Sequence, residues 1–317
     1  MPFMMVDEPG GMSTFSPEAQ REKQWVASSS VAAAVGLTGF KLAVGLMTGS
    51  LGILAEAAHS GLDLAAAVMT LIAVRVAAKP ADRDHLYGHG KVENLSALFE
   101  TLLLLVTCAW IVFEAMHRLR TGDVVVEVTA WSFVVMLTSI VVDISRSRIL
   151  YRAAKKHNSQ ALEADALHFS TDVYSSVVVL VGLASVLVSR LNPRLSFLKY
   201  ADAVAAILVA VICLYVIFEL GMRSIYALID SAPAGMESAV VAAAEAVPGV
   251  VNCHRVRIRA SGPQTFIDAH VLLDGHLTLQ EAHDLTEEIE RAVQVVALDA
   301  DVTVHAEPAE MPEKSTM

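Results

Sequence analysis

Residues 55–63 read AEAAHSGLD and lie inside the apolar run 51–77. As a helix that run is long enough to cross a hydrocarbon core about 30 Å thick, which takes about 20 residues. It nevertheless carries His59 and Asp63, four residues apart. An ionisable group at bilayer depth costs about 2.5 to 3.5 kcal/mol on insertion scales, so such groups turn to the protein interior and mark ion or substrate paths. Four residues along an α-helix advance about 6 Å and turn about 40° beyond a full revolution, so both side chains project from one face.

The stretch 165–172, DALHFSTD, repeats that spacing with His168 and Asp172. A single pair has a plain structural explanation, a buried histidine bonded to the aspartate one turn on. Two pairs in different apolar runs supply four nitrogen and oxygen ligands, the set a tetrahedral divalent cation takes.

The rest of the chain fits a membrane setting. Its 317 residues are 55% hydrophobic and 18% charged, with a mean hydropathy of +0.53, more apolar than an ordinary soluble protein. Six apolar stretches, at about 26–48, 51–77, 94–116, 126–146, 166–190 and 201–222, are long enough to span. The expected architecture is therefore a membrane domain of six transmembrane helices. From Arg223 to Met317 there are 6 Lys or Arg against 15 Asp or Glu, so nine of the eleven net negative charges fall there. This segment reads as a soluble domain, and its acidity leaves no nucleic-acid partner expected.

Residues 1–23 lack a basic region followed by an apolar core, so no cleavable secretory signal is expected, and 1–25 reads as a cytoplasmic leader. Cys108, Cys213 and Cys253 are scattered and give no disulfide framework. Arg21, Lys23, Lys79, Arg83, Lys91, Arg146, Arg148, Arg152, Lys155 and Lys156 crowd one side of the spans, while Arg118, Arg120, Arg190, Arg194 and Lys199 lie on the other. By the positive-inside rule both termini are cytoplasmic, which means the inner membrane if the source is bacterial.

Two further clusters offer ligands. The loop KPADRDHLYGHGK holds Asp82, His85 and His89, with Gly88 and Gly90 free to turn the backbone and converge them. The soluble segment holds five of the eleven histidines, His254, His270, His276, His283 and His305. Its pattern predicts a helix near 235–247, strands near 252–260 and 264–274, a helix near 278–295 and a strand near 301–306, an α+β ferredoxin-like arrangement. Other ionisable groups in the spans have ordinary readings. Lys41 and Glu56 are expected to snorkel toward membrane faces, Arg75 and Asp143 to pair or meet headgroups. Glu100 and Glu114 have no expected role.

The stretches TGSLGILAEAAHSGLD, KPADRDHLYGHGKVENLSAL, EADALHFSTDVYSS, DAVAAILVA and ASGPQTFIDAH to DVTVHAEP resemble the cation diffusion facilitator family in motif order and spacing over residues 26–308. The resemblance implies a transport domain at 26–222, a cytoplasmic metal-binding and dimerisation domain of metallochaperone-like fold at 223–308, and a tail at 309–317. It implies a transport site of His59, Asp63, His168 and Asp172, and an interfacial site of Asp82, His85 and His89. In the soluble domain it implies a site of His254, His270, His283, His305 and Glu307, the last standing where zinc members often carry aspartate. It also implies a charge interlock between Lys91 and Asp230, while His276 matches no ligand. Such proteins are homodimers in the lipid bilayer that exchange cytoplasmic divalent metal for protons.

Metal binds neutral imidazole and ionised carboxylate, so loading displaces protons, and an ordinary imidazole titrates near pH 6.5. About one or two protons returned per ion follow from that competition. Zn²⁺ is the expected substrate and regulatory ion, with Fe²⁺ next and Co²⁺, Ni²⁺, Mn²⁺ and Cd²⁺ behind, since the same ligand types accept them. A membrane metalloprotease would need an H-E-x-x-H motif, and no His-Glu dipeptide occurs. The remaining rival is a metal sensor or scaffold that does not transport.

Overall fold

In the computed structural model of the chain, residues 16–121, 130–191, 201–298 and 300–309 are described. Six long helices come first: α1 (Pro17–Thr48), α2 (Leu51–Ala77), α3 (Lys91–Thr121), α4 (Ala130–His157), α5 (Gln160–Leu191) and α6 (Ala201–Leu228). Four stretches among the described residues, Pro17–Thr48, Ile53–Ala77, Lys91–Trp110 and Ala210–Leu228, are long and apolar enough to cross a membrane. The opening residues of the expected fourth span, 126–129, lie outside the described residues, as do 1–15 of the leader and 310–317 of the tail. So do Arg194, Lys199 and the side chains of Glu114, Arg118, Arg120 and Arg190.

Local chemistry sets the joints. Ser16 caps α1 by accepting from the Ala19 amide at 3.1 Å, and Gly49 ends the helix at φ 67°. Ser50 then caps α2 at once, so α1 and α2 form a tight hairpin, with Gly45 closely packed on Leu54. Asn158, at φ 48°, turns α4 directly into α5. The helices are longer than the apolar stretches: Lys155 and Lys156, expected in a loop, occupy the last turn of α4. Charge there favours the helix C-terminus, where the macrodipole is negative. Helix α5 packs against α2, α3, α4 and α6, so it sits centrally in the bundle.

Several polar groups hold the bundle from inside. Lys23 bonds Glu93 at 3.1 Å with both side chains fully buried, and Glu93 also accepts from Ser159. The Arg146 guanidinium lies 3.4 Å above the Phe169 ring, donates to Ser30 at 3.0 Å and faces Asp143 at 3.6 Å. Lys41 is a correction to the expectation from sequence. It does not reach a membrane face; it is buried and pairs with Glu56 at 3.2 Å, because its face of α1 turns toward α2.

The soluble unit follows as α7 (Met236–Glu245), β1 (Val250–Ser261), β2 (Gln264–Asp274), α8 (Leu279–Val296) and β3 (Asp301–Ala309). The sheet order is β1-β2-β3, antiparallel between the first two strands and parallel between the last two. Along β2, Ile267, Ala269, Val271 and Leu273 point inward. They meet Val240 and Ala244 of α7 and Ile289 and Val293 of α8 in one core. The period-2 alternation therefore leaves His270 on the opposite face of the sheet.

Candidate metal sites

His59 and Asp63 project from α2, His168 and Asp172 from α5, and the two pairs meet. His168 Nε2 lies 3.2 Å from Asp63 Oδ1 and 3.6 Å from Asp172 Oδ2. His59 Nε2 lies 3.8 Å from Asp63 Oδ1 and 3.9 Å from Asp172 Oδ1. The carboxylates thus bridge the helices, each facing both histidines. Ligand atoms of His59, Asp63 and Asp172 fall within 4.8 Å of one another, a spread a metal ion can gather. His168 is nearly buried while the His59 side chain is 41% exposed, so the group opens to one side, into a cavity of about 390 Å³ lined also by Glu56, Thr107 and Thr171.

In the loop between α2 and α3, Asp82 Oδ1 accepts from the amides of Asp84 at 3.0 Å and His85 at 2.7 Å. His85 Nδ1 lies 3.1 Å from Asp82 Oδ1, and His89 Nε2 3.3 Å from Asp82 Oδ2. The backbone N–H of His85 holds the Asp82 carboxyl below its ordinary value. Gly88, at φ 73°, makes the turn that returns His89 to Asp82.

On the open face of the soluble sheet the strand register places His254 opposite His270 and His270 opposite His305. Glu307 gathers them: its carboxylate lies 2.8 Å from His270 Nδ1, 3.3 Å from His254 Nε2 and 3.8 Å from His305 Nε2. The His270 hydrogen bond draws the Glu307 carboxyl below its usual range. His283 does not join this group within the chain. It stands on the exposed side of α8, 3.6 Å from Glu287. His276, in the turn after β2, donates its amide to Asp274 at 2.9 Å. At the base of the bundle Lys91 Nζ meets Asp230 Oδ1 at 2.8 Å.

Sequence reading missed the polar groups packed around the α2–α5 site. Glu100 of α3 is wholly buried and accepts from Thr70. Asp165, one turn before His168, accepts from Ser30 at 3.3 Å. The acidity of Glu100 inside an apolar run, and of Asp165 at the edge of one, was the available signal, but their partners lie on other helices.

A sequence profile described as "Cation efflux transmembrane domain" matches residues 28–229, and one described as "Cation efflux protein, cytoplasmic domain" matches 233–309. The chain is 34% identical to the Shewanella oneidensis protein named "Cation-efflux pump FieF" over 89% of this chain and 93% of that one. It is 33% identical to an "Uncharacterized transporter" of Synechocystis over 89% of each. A solved nickel-form variant of the MamM CTD shares 29% identity, covering 24% of this chain and 96% of that chain, with a TM-score of 0.23. With both profiles in order along its length, the chain belongs to the cation efflux family, the cation diffusion facilitators, and is a transporter rather than an enzyme.

Proposed function

We propose that this transporter exports a divalent metal cation, Zn²⁺ first, from the cytoplasm in exchange for protons. It works as a homodimer, with six helices spanning the inner membrane and both termini cytoplasmic. One observation carries the reading: two histidines and two aspartates, drawn from α2 and α5, converge beside a cavity within the bundle. Such a set suits Zn²⁺, though Fe²⁺ and other first-row ions accept the same donors.

The mechanism follows from the ligands. Protons held by the imidazoles and carboxylates leave when metal binds, and return when it departs. Because the site is shared between two helices, tilting one against the other changes which side it faces and loosens its ligands together. The loop site of Asp82, His85 and His89 and the sheet cluster around Glu307 lie outside this path. They act as regulatory metal sites, the second one coupling cytoplasmic metal to the relation between the two copies.

Zn²⁺ uptake into proteoliposomes under an imposed pH gradient tests the reading. The parent protein is expected to show gradient-dependent flux, lost in Asp63→Ala and in Asp172→Ala. Flux without dependence on the gradient removes antiport. Absence of flux with Zn²⁺, Fe²⁺, Co²⁺ and Mn²⁺ leaves a sensor or scaffold as the better reading.

A further inference from the structure

The quartet in the bundle contains no sulfur, yet two thiols pack together among residues whose neighbours line its cavity. Cys108 of α3 and Cys213 of α6 are both free and buried, at 0% and 3% exposure. They pack in one cluster with Leu104 and Ile217. Their thiols hydrogen-bond each other, and Cys213 also meets the side chain of Thr171 on α5. Thr171 lines the cavity beside Asp172, and so does Thr107, the residue before Cys108. Three helices therefore meet at a sulfur pair whose neighbours Thr107 and Thr171 line the cavity.

A buried free cysteine commonly serves as a small apolar residue, but two packed together from different helices also bring two sulfur donors to one place. As thiolates they are the ligands that soft cations prefer over imidazole and carboxylate. We propose that Cys108 and Cys213 form a second metal site in the transport domain, taking a thiophilic cation such as Cd²⁺ from the cavity, with the Thr171 hydroxyl beside it. Binding is acid–base and involves no redox step: each sulfur gives an electron pair to the ion, and the two thiol protons pass to solvent through the cavity. An ion held there replaces two protons, so the net charge of the site is unchanged, but it ties α3 to α6. The tie opposes the helix movement that transport needs, and soft cations inhibit rather than travel.

The test uses full-length protein in which Cys253→Ser removes the remaining thiol, titrated with Cd²⁺ alone. Thiolate-to-cadmium charge-transfer absorption is expected to saturate at one ion per chain and to vanish in Cys108→Ser and in Cys213→Ser. Absence of the band before either pair residue is changed, or its survival in either variant, overturns the site. Cadmium-edge X-ray absorption on the Cys253→Ser protein guards against a variant that merely misfolds: sulfur neighbours are expected, and a shell of nitrogen and oxygen alone refutes the proposal. Both readouts see only sulfur ligation, so their failure leaves the transport reading intact, and failure of flux leaves this site standing.

Discussion

At the residue scale, the buried ion pair between Lys23 and Glu93 shows how much of the bundle rests on groups seventy positions apart. Both are fully buried, and Ser159 supplies Glu93 with a second bond. Removing one partner of a buried pair strands the other charge, which costs about 3 to 5 kcal/mol. Lys23→Met is therefore expected to lower the thermal unfolding temperature in detergent sharply. Adding Glu93→Gln recovers more than half of the loss, because the stranded charge is gone. Equal losses in the single and double variants refute the pairing. Arg146→Lys makes a gentler case: an ammonium cannot cover the Phe169 face 3.4 Å away while keeping the Ser30 bonds. A loss of about 1 to 2 kcal/mol is expected in the same assay, and an unchanged transition sinks it. Such contacts were not legible in the sequence, whereas the His59–Asp63 and His168–Asp172 pairs were. The helical turn brings residues four apart together without help; Lys23 and Glu93 meet only after three helices have packed.

At the scale of elements, joints marked by turn residues were easier to read than helix ends that run on past the apolar stretches: α2 spans 51–77 as expected, whereas α1 already starts at Pro17 and α4 runs to His157. The alternation in β2 gave the sheet its inner and outer sides, and the register then aligned His254, His270 and His305. His283 joins them through the family resemblance, as part of a site that some members form between two cytoplasmic domains; within one chain it stands on the exposed side of α8, whose inner stripe is taken by Ile289 and Val293. The start of α8 is a capping box. Thr278 Oγ1 accepts from the Glu281 amide at 3.3 Å, and the Glu281 carboxylate accepts from the Thr278 amide at 2.8 Å. Thr278→Ala is expected to cost about 1 kcal/mol, read as faster amide exchange in the first turn of α8. The backbone N–H of Thr278 holds the Glu281 carboxyl below its ordinary 4.5. The ionised form is thus favoured by folding, so its contribution is complete above pH 4.5 and fades as pH falls through the lower folded value. Protection of that turn should drop on acidification in the parent and stay flat in Glu281→Gln; parallel profiles contradict the box.

At the scale of the whole molecule, the transport bundle and the soluble unit meet through backbone as well as side chains. The turn between β1 and β2 lies on the start of α3: Gly262 donates its amide to Asn94 Oδ1 at 3.0 Å, and Gly90 packs against the Ser261 carbonyl. Beside it Arg259 lies 3.6 Å over the Tyr87 ring, and Tyr87 meets Phe266 edge-on at 5.1 Å. Tyr87 sits between His85 and His89, so the loop cluster and the sheet share a rigid contact. Neither glycine tolerates a side chain, for different reasons. A Cβ on Gly90 runs into the Ser261 backbone, whereas one on Gly262 meets Gly90 O at 2.6 Å from a residue already at φ 62°. The left-handed backbone alone costs a side chain about 1 to 2 kcal/mol, so Gly262→Ala both strains the turn and pushes it off α3. Amide exchange is expected to rise about tenfold or more, the equivalent of about 1.4 kcal/mol, over residues 259–265 and the first turn of α3 together. If the contact transmits metal binding, Zn²⁺ added to the variant protects the loop at Asp82, His85 and His89 without protecting the sheet turn, while in the parent both are protected. Joint protection in Gly262→Ala would show that the two units communicate by another route, the Lys91–Asp230 pair at 2.8 Å being the nearest one left.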